Sequence, residues 1–537
     1  MIVGRGWRER IPNLGSATAA TLMTVSLLAL ITAIGALLRF HHLGYESLWL
    51  DELGEATVAS GPWQSLLPAV AHRAGDAPID YLGVRIVTSI LGHGTTATRA
   101  WSWACGVAAI PVIAWLCWEI FRSKSTALLA GLLLSVSTFH ILYSQEARFY
   151  ALAVLAGSLC LATFLAARRI GSRAVWIGFA LSVGGALLSQ YFLLVVPIAI
   201  GVANLPAPNV LRSRAEAVAA VTERLPLLLA LGAGVAIFVP WFLFAAVGQV
   251  ARHFPFQAMQ LLDPAGYDSA LLGVLAPTSG AGTASAQALV FARALEALAI
   301  IGIATPGTAN RVGFRALVYT AVLTLPLAFI TDFHSGYFFA PRQVIFILVP
   351  VLCLASNGCV TVIDFASRGP WALTRWVAVA ALAVIVLLDS TGAIGAVTAK
   401  TRVKEDWRAA TEVVAAGLCP NGRVFVDIGS GYAYGIGYYD PSLIPRIVQV
   451  DPVGNDPHAL IEALEKAGVG PSDWLVLRGS ATTRGQVNEA LRWLQSRGYR
   501  YDWSFKLAVT TPPTTCRGTT RRIERFVAQL ARGQHFH

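Results

Sequence analysis

Charge is what this chain has least of. Only 13% of its 537 residues are Asp, Glu, Lys or Arg, against 55% hydrophobic residues and a mean hydropathy of +0.60. A soluble fold of that length does not need so much apolar surface, and apolar runs of membrane-spanning length recur along the chain. An ordinary soluble class is therefore excluded, and the sequence reads as an α-helical polytopic membrane protein. Other absences narrow the reading. No dense His/Asp/Glu ligand motif occurs, so a divalent metal stays open and unassigned. No small-residue cleavage site closes the first apolar segment, which reads as a retained anchor. No internal repeat is evident and the notable acids sit outside the apolar runs, which disfavours the alternative of a transporter or flippase of lipid-linked or envelope precursors. The net charge of +11 does not point to nucleic acid, because the basic residues fall in short clusters between apolar runs, where they fix topology.

The pattern of basic clusters orients the chain. Arg5, Arg8 and Arg10 precede a first span over 17–38 and stay cytoplasmic, so residues from 39 onward emerge outside. Residues 98–121 return to Arg122 and Lys124, 126–141 go out, and 149–167 come back to Arg168, Arg169 and Arg173. Residues 174–189 and 191–205 make a hairpin turning outside at Gln190, before a cytoplasmic loop with Arg212, Arg214 and Arg224. Residues 226–247, 286–305, 314–331, 343–362 and 376–391 complete about eleven spans, each return meeting Arg or Lys on the same side. Residues 79–91 are apolar but short and carry Asp80 and Arg85; they read as an interfacial helix within a long first external loop, 39–97.

Composition changes after residue 391. The apolar runs give way to alternating helical (406–418, 457–467, 483–497) and strand (424–428, 474–477, 503–509) patterns, an extracytoplasmic α/β domain over 392–537. Its Asp427-Ile428-Gly429-Ser430-Gly431 misses the dinucleotide spacing and reads as a turn before Tyr438-Tyr439-Asp440. Cys105, Cys117, Cys160, Cys353 and Cys359 lie in or beside spans as small apolar residues. Cys419 and Cys516, the two in the soluble domain, can form one disulfide in an oxidising exterior.

Two clusters carry the chemistry. The first is Ser47-Leu48-Trp49-Leu50-Asp51-Glu52, with adjacent carboxylates just past the first span. Acids near hydrocarbon are tolerated mainly when they face water, a cation or a substrate, and the other reading of the pair is a cap on a short interfacial helix. The second is Tyr143-Ser144-Gln145-Glu146-Ala147-Arg148-Phe149-Tyr150, a tight external turn offering a carboxylate and a guanidinium at one depth. A third segment, His334 to Arg342, offers His334, Tyr337 and Arg342, the last able to snorkel to lipid phosphate.

Ser-Leu-Trp-Leu-Asp-Glu, Ala77-Pro78-Ile79-Asp80-Tyr81-Leu82 and Ser-Gln-Glu-Ala-Arg-Phe-Tyr-Ala-Leu together resemble the GT-C glycosyltransferases over residues 17–391. The branch they are most similar to is the bacterial one related to protein O-mannosyltransferases and lipid A aminoarabinose transferases. The sequence departs from it at Ile79-Asp80, where relatives often carry an apolar pair, and at Gln190-Tyr191 in place of His-Tyr. The resemblance implies a catalytic domain over 1–391 in a bacterial inner membrane. It implies transfer of a sugar from a polyprenyl phosphate to a glycan, lipid or protein hydroxyl outside the cytoplasm, with inversion. In that reading Asp51 is the base, with Glu52 and Glu146 as further catalytic acids. Arg148 and Arg342 hold the donor phosphate, and Tyr81, Gln145, His334 and Tyr337 contact substrate.

Overall fold

The computed structural model describes residues 14–73, 75–205, 214–250, 264–276, 286–335, 340–368, 404–427, 434–450, 452, 456–478, 484–503 and 507–514, with a few isolated positions between 376 and 395. The chain divides into two compact units. One holds residues 1–41, 64–83 and 99–398, the other 42–63, 84–98 and 399–537.

The first unit is a helical bundle. Seven helices among the described residues are long and apolar enough to cross a membrane: Thr21–Phe40, Thr95–Phe121, Tyr150–Ile170, Thr222–Gln249, Ala286–Ala304, Arg311–His334 and Pro341–Ser367. A bent pair, Lys124–Val136 and Thr138–Ser144, broken by 59°, makes an eighth if its two pieces are counted as one span. This is a multi-pass membrane protein. Two segments expected as spans form shorter apolar helices, Arg173–Leu187 and Tyr191–Ala203. Fifteen residues rise only about 22 Å, less than the roughly 30 Å hydrocarbon core. The expected span 376–391 lies almost wholly outside the described residues. The helix Pro78–Leu91 forms where an interfacial helix is expected, with proline at its first position, where a missing N–H costs nothing.

Tyr150–Ile170 and Pro341–Ser367 are the most enclosed spans, and Thr21–Phe40 the most exposed. Helices Ala286–Ala304 and Leu348–Arg368 meet backbone to backbone at Gly302 and Gly358, where an added Cβ would lie 2.0 Å from the carbonyl oxygens of Leu354 and Leu298. Only glycine permits that approach, the small-residue packing by which membrane helices gain van der Waals contact without a hydrophobic driving force.

The second unit is α/β. Its sheet has the order β2-β1-β3-β5-β4, with β1 Val424–Asp427, β2 Ile447–Val450, β3 Trp474–Leu477, β4 Arg500–Asp502 and β5 Ala508–Thr511. β1 pairs parallel with β2 and β3, Val424 aligning with Ile447 and with Trp474; β5 runs antiparallel to β3 and β4. Alternation sends Val424, Val426, Trp474 and Val476 to one face, under the helix Trp407–Gly417, and Phe425, Leu475 and Leu477 to the other, under Ala459–Lys466 and Arg484–Ser496. Both faces are covered, which is why the β1 and β3 patterns are continuously apolar. Of the strand expected over 503–509 only the end is borne out: β5 begins at Ala508 and runs on to Thr511, and β4, Arg500–Asp502, ends just before the stretch. β2, Ile-Val-Gln-Val, is a four-residue half-exposed edge strand that the sequence reading did not pick out. Gly429 to Gly431 lie outside the described residues.

The sequence-distant segment Leu48–Ala56 belongs to this unit. Leu48, Leu53 and Ala56 are buried with Trp407, Val413, Val424 and Trp474 in one core.

Candidate functional site

In the membrane unit the bent span delivers the helix Thr138–Ser144 to a tight turn, Gln145–Phe149, before Tyr150 opens the next span. Gln145 Nε2 donates to the carbonyls of Arg39 and His41, at 3.1 and 2.7 Å, so this expected substrate ligand ties the turn to the end of the first span. Arg148 is buried, and its Nη2 donates to Asp76 Oδ1 at 2.9 Å. Asp76 also accepts from Arg73 Nε at 2.9 Å and from the Tyr81 hydroxyl at 2.6 Å. Burial raises the Asp76 pKa, but Arg148, Arg73 and the hydrogen bonds from Tyr81 and Arg148 outweigh it and hold the carboxyl at about 2. The network continues through Tyr191. Its hydroxyl lies 3.0 Å from Asp76 O and 2.8 Å from Gln249 Oε1 and accepts from Trp241 Nε1, while Gln249 Nε2 donates to Val70 O. Sequence reading puts Arg148 on the donor phosphate and Tyr81 on substrate; in the structure each donates a hydrogen bond to Asp76.

Asp76 was missed. The available signal was its place two residues before Pro78, an N-cap-like position, with Arg73 one helical turn earlier, and this spacing is common enough to carry no function by itself.

Arg342 has a different setting. It sits half-buried in the 3-10 turn Pro341–Ile347, and its Nε donates to Tyr150 OH at 2.9 Å. Tyr143 packs edge-on to Tyr150 with centroids 4.9 Å apart, and lies within electrostatic reach of both Arg342 and Glu146. A guanidinium, two phenols and a carboxylate thus gather at one end of the bundle. His334 is exposed at the end of its helix; Tyr337 lies outside the described residues.

In the α/β unit, Asp51 and Glu52 fall in the first turn of the helix Leu50–Ser60. Glu52 is buried and its Oε2 accepts the Trp49 N–H at 3.3 Å, the reciprocal half of a capping box. Upstream, Leu48 N–H donates to the Tyr439 hydroxyl at 2.7 Å, Arg408 N–H donates to Ser47 Oγ, and Lys404 Nζ stands 4.1 Å from the Trp49 ring centroid. The segment is held from both sides. Asp51, half-buried, has no hydrogen bond or ion pair among the described residues. The two readings of the acid pair divide between its members: Glu52 caps the helix, and Asp51 is left available.

Cys419 is disulfide-bonded; its expected partner Cys516 lies outside the described residues. Among the described residues no group of three or more His, Cys, Asp or Glu side chains could hold a metal ion.

The whole-chain architecture has solved counterparts. ArnT from Cupriavidus metallidurans superposes with a TM-score of 0.55 at 14% identity, covering 92% of this chain and 98% of that one. The fold is that of the GT-C glycosyltransferases. ArnT bound to undecaprenyl phosphate matches with a TM-score of 0.54 at 14% identity, over 90% of this chain and 97% of that one. The Archaeoglobus fulgidus oligosaccharyltransferase AglB, solved with an inhibitory peptide and a dolichol-phosphate, matches at 0.52 and 14% identity over 91% of this chain and 74% of that one. No protein-family model and no curated protein matches the chain.

Proposed function

We propose that the protein is an integral-membrane glycosyltransferase of the bacterial inner membrane. It moves a sugar from a polyprenyl-phosphate-linked donor to a hydroxyl of an acceptor glycan, lipid or protein on the extracytoplasmic face, where the α/β unit also lies. The observation that carries the reading is Asp51: a carboxylate with no hydrogen bond or ion pair among the described residues, on a helix whose cap, preceding segment and buried flank are each held, in a chain with the GT-C fold. Elsewhere in the described residues Asp76, Glu119 and Asp473, well-buried acids that face arginine, each accept several hydrogen bonds.

The reaction is a single displacement. The acceptor oxygen attacks the anomeric carbon as its proton passes to Asp51, and the bond from that carbon to the phosphate oxygen breaks with its electron pair leaving on the phosphate. A phosphate leaves without a general acid, so one base suffices and the anomeric configuration inverts. The departing charge needs a cation. Arg342 is assigned that role, since a fork of N–H donors suits phosphate oxygens, with Tyr150 orienting it. Glu146 orients the acceptor or sugar. Arg148 acts through Asp76, holding the turn that carries Glu146.

Mass spectrometry of envelope lipids, glycans and glycoproteins from cells with and without the protein tests the reading. The expected result is the loss of one sugar mass from one acceptor fraction, with the polyprenyl-phosphate sugar accumulating. An unchanged sugar inventory would overturn it, and a precursor stranded on the cytoplasmic leaflet would favour a flippase.

A further inference from the structure

Arg39 is fully buried at the end of the first span and makes no ion pair among the described residues. Its Nη1 donates to the carbonyls of Gly35 at 2.9 Å and Ser135 at 2.8 Å; its Nη2 donates to Leu134 O at 2.8 Å and to His140 Nδ1 at 2.8 Å. Because His140 accepts at Nδ1, its ring proton sits on Nε2 and the imidazole is neutral. A buried guanidinium therefore has only neutral acceptors. What compensates it is the convergence of two helix C-terminal ends, the last two turns of Leu14–Phe40 and the last turn of Lys124–Val136, whose aligned carbonyls present partial negative charge.

The second of those ends is the 59° break. In an unbroken helix the carbonyls of Leu134 and Ser135 would accept from residues 138 and 139; at the break Arg39 donates to both carbonyls. Beyond the break the helix Thr138–Ser144 carries His140, a second contact to Arg39, and Tyr143, and leads into the turn with Glu146. Gln145 in that turn bonds to the backbone carbonyl of Arg39 itself. One residue thus grips the span before, at and after its bend.

We propose that Arg39 is a positioning residue, a charged cap that maintains the bend and thereby places Tyr143 and Glu146; the catalytic part of this rests on the glycosyltransferase reading. The leverage is large. Seven residues at about 1.5 Å each set the far end roughly 10 Å from the bend, so full straightening would carry it about 10 Å. A tenth of that motion is about 1 Å, a displacement that can cost on the order of 100-fold in rate.

The experiment uses the full-length protein in nanodiscs with Arg39→Met, Arg39→Lys and the lipid-facing control Leu37→Ala, reading turnover, donor dissociation constant and, separately, maleimide labelling of Glu146→Cys in a background lacking the five free cysteines. For Arg39→Met the expected results are a turnover loss of about 100-fold with donor affinity held within about 2-fold, partial rescue by Lys, and a labelling rate changed by about 10-fold. Leu37→Ala changes none of these. An unchanged labelling rate overturns the proposal, as does an equal loss of turnover and donor affinity. If Arg39→Met fails to fold, Arg39→Lys decides: wild-type labelling and turnover overturn the proposal, whereas a shifted labelling rate with turnover lowered several-fold supports it. Labelling needs no reaction, so a protein that transfers no sugar would sink the functional reading while leaving the bend tested.

Discussion

Asp76 and Asp51 both follow the first span, and their surroundings are opposite. Asp76 has two guanidinia and a phenol and is buried; Asp51 has a helix turn behind it and no hydrogen bond or ion pair among the described residues. The lesson is that an acid near a membrane is identified as structural or chemical by what saturates it. The Asp76 charge is spent on joining the first loop to the turn Gln145–Phe149, so removing it should harm folding. Removing the charge of Asp51 should harm only a reaction.

The largest effect expected is on the saturated acid. Asp76→Asn leaves Arg148 buried without its counter-charge, and breaking a buried pair from one side costs about 3–5 kcal/mol. Purified Asp76→Asn should melt well below wild type, and Asp76→Leu with Arg148→Met should recover much of the loss because neither charge is then stranded. A melting temperature unchanged in Asp76→Asn would abolish the distinction between the two acids.

Asp51→Asn should show the converse, a loss of about 100-fold or more in turnover, the scale of a missing general base, with melting temperature and donor affinity as in wild type. Near wild-type turnover would remove Asp51 from the mechanism.

The two arginines extend the comparison. Arg342→Ala should weaken donor binding by about 10- to 150-fold, the equivalent of one charge-assisted contact, with Lys restoring only part. Arg148→Ala should lower the melting temperature while the folded fraction binds donor with little change. If Arg148→Ala instead weakens the donor more than Arg342→Ala does, the two roles are exchanged.

The smallest effect is one of pH. The Asp76 carboxyl is depressed to about 2, so its stabilisation is complete above the unfolded carboxylate range, near pH 4, and is lost as pH falls through about 2. The shift corresponds to about 2 kcal/mol. Detergent-solubilised wild type should therefore lose melting temperature between pH 4 and 2 faster than Asp76→Asn does, and parallel curves would show that the charge is not what holds the segment.

Much of the site was legible because its residues sit at places where chemistry and topology are both local. Asp51 and Glu52 after the first span, Glu146 in a tight turn and Arg342 ahead of a span can each be found by reading outward from an apolar run. Their partners cannot. Arg148 meets Asp76 across 72 positions, and Leu48 meets Tyr439 across 391. Nothing local distinguishes an arginine that awaits a phosphate from one already neutralised by a distant carboxylate.

The sequence by itself determined the solvent, the polytopic helical class and the separate α/β region, because apolar length and the periodicities of helix and strand are written residue by residue. Only the tertiary structure decided which acid is saturated by partners. It packed Leu48 and Leu53 against Trp407, turned Glu52 into a cap, closed Asp76 with two arginines and bent a span around Arg39. Each of those outcomes depends on a partner brought close by folding, and the strength of a charge's interactions is set by what surrounds it rather than by its neighbours in the chain.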